Sequence, residues 1–173
     1  IKNKNLIFNV TDTQKRDQDI SHIGILESGE IKLGEDVVAE INKDRRLKIR
    51  SNHTATHILH ESLKQVLGVH IQQSGSLVTD KKLRFDLTHY EKITDSQIIE
   101  IENKINKIIR DNYKVSTTVQ DFEEARENGA TALFSEKYED KVRVVDIPDF
   151  SMELCGGTHV FRTGDIGVFK III

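Results

Sequence analysis

The sequence predicts an α+β fold. It has a small, β-barrel-like segment over residues 1–50 and a mixed sheet-and-helix domain over residues 51–173. Three observations carry this. Short β-rich stretches punctuated by Gly24, Gly29 and Gly34 fill the N-terminal third. Two helical periodicities lie beyond residue 50. Strand patterns return between and after them without a βαβ rhythm.

The N-terminal strands are expected at Leu6–Val10, His22–Leu26, Val37–Ile41 and Arg46–Ile49. Ser51 or Asn52 then reads as the cap of a helix running to about Val66, with Gly68 past its end. Ala55, Ile58, Leu59, Leu63, Val66 and Leu67 form its apolar face. A hairpin follows, Val69–Val78 and Leu83–Thr88 around Thr79-Asp80-Lys81-Lys82. Thr94–Asn112 is an amphipathic helix whose Ile98, Ile101, Ile105 and Ile108 recur at core spacing. Lys114–Gln120 alternates as a strand, Asp121–Asn128 is a short helix closed by Gly129, and Val142–Ile147 is a buried strand. Met152–Leu154 and Ile166–Ile172 complete the strand-like segments.

Composition bounds the function. The 173 residues suit one domain, or one domain with a small companion. The net charge of -3 announces no nucleic-acid binder, so any RNA-binding surface must be local. One cysteine, Cys155, excludes an internal disulfide, and a cytoplasmic setting is expected. No apolar run suits a membrane span, and Ile1–Asn5 lacks a signal-peptide core. The absent initiator Met and the strand-like end at Ile173 suggest a piece of a longer chain. Asn-x-Ser/Thr sites at Asn9 and Asn52 read as chance.

The chemistry concentrates in two short stretches. In His53-Thr54-Ala55-Thr56-His57 the histidines are four apart and share a helix face, so both imidazoles can meet one ion. Seven histidines make such a pair unremarkable alone. The only cysteine, however, is also followed four residues later by a histidine, in Cys155-Gly156-Gly157-Thr158-His159. The glycines permit a tight turn, and thiolate with imidazoles suits zinc. His60 is a nearby histidine equally suited to the surface. Thr54 stands where a metalloprotease carries its general-base Glu, and the zinc-deaminase pattern also fails. Cys155 as a nucleophile with His159 as base is the alternative, though it leaves the helical pair unexplained. Arg46, Lys48 and Arg50 would share a strand face leading to the His pair, either as a phosphate track or as a solvated face. Lys81, Lys82 and Arg84 form a weaker basic candidate.

The chain resembles the editing domain of alanyl-tRNA synthetases. Asn52-His53-Thr54-Ala55-Thr56-His57, Gln73-Ser74-Gly75-Ser76-Leu77-Val78 and Leu83-Arg84-Phe85-Asp86 carry the resemblance, in order. Leu133-Phe134-Ser135-Glu136-Lys137-Tyr138, Glu153-Leu154-Cys155-Gly156-Gly157-Thr158-His159 and Thr163-Gly164-Asp165-Ile166-Gly167 continue it, over about residues 20–173. The HxxxH element alone is shared with free-standing alanyl editing proteins and threonyl-tRNA synthetases.

The resemblance implies zinc on His53, His57, Cys155 and His159, in an editing domain at 51–173 behind a partial barrel segment at 1–50. It implies hydrolysis of Ser-tRNA(Ala) and Gly-tRNA(Ala), with tRNA(Ala) and the rest of a parent synthetase as partners. Thr56 and Gln73 match positions near the amino-acid pocket, as catalytic and substrate-binding candidates. Gly156 and Gly157 match the loop that lets the ligands converge. The family's upstream Gly-rich stretch and its aminoacylation domain are not in this chain, so neither their substrate contacts nor ATP binding is expected. The alternatives are a free-standing editing protein and a non-catalytic, zinc-stabilised RNA-binding module.

Overall fold

A computed structural model describes residues 1–16, 19–132 and 138–172. The chain is mixed α+β and divides into two compact units, Ile1–Lys43 and Asp44–Ile173. Among the described residues no helix is long and apolar enough to cross a membrane.

The first unit is built on an antiparallel ribbon, β1 (Leu6–Arg16) and β2 (Asp19–Gly29), paired from Leu6↔Gly29 to Arg16↔Asp19. Both strands are longer than the apolar stretches suggest, because backbone pairing extends through polar residues. A Cβ at Gly24 would strike the Asn9 carbonyl, so only glycine lets the two backbones approach there. Val37–Ile41 forms no strand. It contributes one isolated bridge, with Lys2 N–H donating to Val38 O at 2.9 Å and Val38 N–H to Lys2 O at 2.8 Å.

α1 (Lys43–Leu67) belongs to the second unit from Asp44 onward. The expected strand at Arg46–Ile49 is therefore its first turns, and neither Ser51 nor Asn52 caps it. Ser51 Oγ instead donates back to Leu47 O at 3.2 Å, inside the helix. Asn52 Nδ2 donates to Thr79 O at 2.8 Å. Asp44 in the first turn favours the early start, since a negative charge suits the positive end of the helix. Gly68, at φ +117°, ends it as expected.

β3 (Gln73–Val78) and β4 (Leu83–Leu87) form the predicted hairpin. Its turn closes with Thr79 N–H donating to Lys82 O at 3.0 Å. α2 (Asp95–Asp111) begins with a capping box between Thr94 and Gln97 and ends on Asn112 in the left-handed region, φ 55°. β5 (Ser116–Asp121), β6 (Lys141–Ile147) and β7 (Ser151–Leu154) make an antiparallel sheet in the order β5-β6-β7. α3 (Phe122–Glu127) follows β5, and a 3-10 turn covers Thr163–Ile166.

β6 is central to the architecture. Val145 and Ile147 join the main core with Ile58, Leu59, Ile101 and Ile105. Val142 and Val144 pack in a second cluster with Ala125 and Leu154. Each such side chain contributes roughly 1.5–3 kcal/mol on burial. β6 thus links the core that holds α1 to the cluster that holds the end of β7, which is what brings the two chemical motifs together. The expected strand at Ile166–Ile172 does not form among the described residues. Its backbone is held by α2 side chains instead: Phe169 N–H donates to Asn106 Oδ1 at 2.9 Å and Ile171 N–H to Glu102 Oε1 at 2.6 Å.

Candidate metal centre

α1 presents His53 and His57 one turn apart, and the loop after β7 presents Cys155 and His159. Their ligand atoms all lie within 4.8 Å of one another. The His53 and His57 ring centres are 5.3 Å apart, and those of His53 and His159 are 4.4 Å apart. Cys155 Sγ lies 3.4 Å from His53 Nε2.

Local backbone chemistry shapes the loop. A Cβ on Gly157 would enter the His53 ring, so the loop can pass there only as glycine. A Cβ on Gly156 would meet open space. Arg143, on β6, donates from Nη1 to the carbonyls of Cys155 (3.0 Å) and Gly157, which fixes both ends of the turn. Arg50 Nε donates to Thr158 Oγ1 at 2.9 Å and its guanidinium lies over the Phe161 ring. Arg50 is thus a brace for the His159 loop.

Neighbouring groups orient the imidazoles. His57 Nδ1 meets the buried Glu153 carboxylate, whose second oxygen lies 3.0 Å from His60 Nδ1. His159 Nδ1 lies 3.3 Å from Thr54 Oγ1, which also accepts from Val160 N–H at 3.2 Å. With Nδ1–H donating outward, the Nε2 atoms of His57 and His159 face the cluster. Both Nε2 atoms are buried and have no hydrogen-bond partner. A buried polar atom left this way costs roughly 1–3 kcal/mol, which a cation at the centre would relieve. Three imidazoles and a thiolate are a donor set that zinc accepts. The residues present therefore fit a metal ion.

The electrostatics agree. Burial pushes the Cys155 thiol up, but His159, His53 and His57 outweigh it and lower it to about 3, which favours the thiolate, the form that binds a metal. Burial likewise opposes charge on His57, yet the Cys155 sulfur and Glu153 raise it to about 10. Glu153 is held down at about 2 by His57 and His60 against its own burial. His159 is lowered, first by burial and further by the charges of His57 and His53.

The cluster stands in the wall of a cavity of about 440 Å³. Thr56, Gln73 and Ser76 line it together with His53, His57 and Cys155, and Gly156, Lys141 and Arg143 also reach it. Thr56 is buried and its Oγ1 donates to Asn52 O at 2.9 Å. Gln73 Nε2 donates to Ser76 Oγ at 3.1 Å. Arg46 and Lys48 are not among the described residues that line the cavity. On a helix Arg46 and Arg50 share a face, while Lys48 turns away, so the basic strand face expected of the three does not exist. Arg84 pairs with Asp86 at 3.1 Å. Of Leu133-Phe134-Ser135-Glu136-Lys137-Tyr138, all but Tyr138 lie outside the described residues, and Tyr138 lines the cavity.

Sequence reasoning missed Glu153, Thr54 and Arg143, and left His60 as a candidate for the surface. His60 is 3% exposed. Its signal was position: it follows His57 by three residues and so shares the inward face. A carboxylate two residues before Cys155 in a strand was the signal for Glu153.

Residues 142–172 match the family described as the threonyl and alanyl tRNA synthetase second additional domain. The matched stretch contains β7 and the Cys155–His159 loop, which is half of the ligand set. It supports an editing-related domain of the kind these two synthetases share.

Proposed function

We propose that this chain is a zinc-dependent aminoacyl-tRNA editing domain of the alanyl type. In this reading it cleaves the ester between serine or glycine and the terminal ribose of tRNA(Ala), as a module of an alanine-tRNA ligase. The observation that carries the reading is the four-ligand cluster in the wall of a cavity that Thr56 and Gln73 also line. An alanine-sized synthetic pocket cannot strongly reject glycine or serine, so a second, hydrolytic site is the physical remedy.

Within that reading, Thr56 and Gln73 supply polar atoms to the serine hydroxyl, which correct alanine cannot satisfy. Bound zinc supplies positive charge to orient the amine or polarise the ester. Glu153 is engaged by two histidines and is not a free base. We therefore assign proton removal to a ribose hydroxyl or water. Gly156 lines the cavity, Gly157 keeps the ligand loop close to His53, and Arg46, on the first turns of α1, is the phosphate contact, with Lys48 on the opposite side of the helix excluded from it.

A second reading is a non-catalytic, zinc-stabilised tRNA-binding module. Four protein ligands favour it, because a complete tetrahedral set leaves no open position for substrate. Deacylation decides between them. The chain is incubated with Ser-tRNA(Ala), Gly-tRNA(Ala) and Ser-tRNA(Thr), with and without chelator. Chelator-sensitive release from the two alanine tRNAs is expected. Release only from Ser-tRNA(Thr) would move the assignment to the threonyl type, and tRNA binding without release would leave the binding module.

A further inference from the structure

We infer that Glu153 is a positioning residue that sets the tautomer and aim of His57, and that His60 completes it by occupying the second carboxylate oxygen. The inference rests on the four-residue cation site proposed above. Glu153 is 2% exposed and does not line the cavity, so it does not touch substrate. Its two oxygens are divided: Oε2 meets His57 Nδ1 and Oε1 lies 3.0 Å from His60 Nδ1. The parallel bridge between Thr131 and Glu153, with Thr131 N–H donating to Met152 O and Leu154 N–H to Thr131 O, fixes the backbone that carries the carboxylate.

This geometry has a definite consequence for the protons. A carboxylate only accepts, so both histidines must present Nδ1–H to it. His57 Nε2 is then the ring nitrogen that faces Cys155 and His159, and it is the atom that would bind a cation there through its lone pair. His60 Nε2 is also buried and without a hydrogen-bond partner, but it lies outside the ligand cluster, with its ring 5.5 Å from that of Phe85. A histidine in that position contributes through Nδ1 alone. Without it, one oxygen of a buried carboxylate would be unpaired, and Glu153 could turn away from His57.

The test measures cobalt(II) binding by the intact chain, read by thiolate charge-transfer and d–d absorption, beside circular dichroism melts in chelator. Glu153→Gln should weaken cobalt binding by about 10–100-fold, the range typical when a ligand histidine loses its outer partner. His60→Asn, whose Nδ2–H stands close to where His Nδ1–H stood, should stay within about threefold of the parent, whereas His60→Leu should lose about tenfold. The Asn rescue separates positioning from packing, because Leu fills the volume better than Asn does. If Glu153→Gln does not fold, the His60 pair decides alone. Glu153→Gln binding cobalt within about twofold of the parent, or equal losses in His60→Asn and His60→Leu, would overturn the positioning role and leave the metal site standing. A parent chain that binds no cobalt would overturn both.

Discussion

Cys155 Sγ lies 3.4 Å from His53 Nε2, although the two residues are 102 positions apart in the chain. The thiolate meets three imidazoles and no base aimed at it alone, which is the environment of a ligand. Cys155→Ala is expected to weaken zinc binding by more than about 100-fold, beyond the cost of losing an orienting partner. No acyl-enzyme should form in the parent. Trapping a stoichiometric aminoacyl adduct on Cys155 during single-turnover deacylation would sink the ligand assignment.

Gly156 and Gly157 should separate sharply. Gly157→Ala places a methyl in the His53 ring, so the loop or the helix must move. The expected result is a stability loss of about 1–3 kcal/mol, as for an overpacked core, together with weakened metal binding. Gly156→Ala meets nothing and should bind metal like the parent. Equal metal affinity in the two variants, measured by competition with a chromophoric chelator, would contradict the close-approach argument.

Selectivity is expected to reside in Thr56 and Gln73. Thr56→Val and Gln73→Leu each remove a polar atom from the cavity. The ratio of Ser-tRNA(Ala) to Ala-tRNA(Ala) deacylation should fall by about tenfold, or about 1.4 kcal/mol, for whichever side chain meets the serine hydroxyl. Unchanged ratios in both variants would remove these residues from the specificity argument.

Glu102 gives a pH dependence away from the metal. The Lys170 ammonium holds its carboxyl below the usual range, against the effect of burial, and the Ile171 N–H lowers it further. A lowered folded-state value means stability that is fully present above the unfolded value of about 4.3 and is lost as pH falls through the folded one. Glu102→Gln should flatten the fall of the melting temperature below about pH 4.3 relative to the parent, measured in chelator. An unchanged slope would show that this contact does not anchor the C-terminal segment to α2.

Periodicity made much of the second unit legible. Ile101, Ile105 and Ile108 are buried on α2, Thr94 caps it, and the Thr79–Lys82 turn closes its hairpin. These are local signals, read within one or two turns of chain. The misread segments are those whose backbone partners are distant. Arg46–Ile49 alternates like a strand but begins a 25-residue helix, because the pattern of four residues is shorter than either period can resolve. Ile166–Ile172 is apolar like a strand, yet Asn106 and Glu102 of α2 take its N–H groups.

The sequence by itself determined the donor types and their pairing: two histidines one helical turn apart, and the only cysteine four residues before another histidine. Spacing within a pair is a property of local backbone geometry, so it can be read from neighbours. Whether the pairs meet is a property of packing. Only the tertiary structure decided that β6 lies in the core with α1 while Arg143 holds the Cys155 loop, and that Glu153 stands between His57 and His60. Those contacts span 93 and 96 residues between Glu153 and its two histidines, a distance over which no residue spacing carries information, because it is set by the burial of the intervening chain.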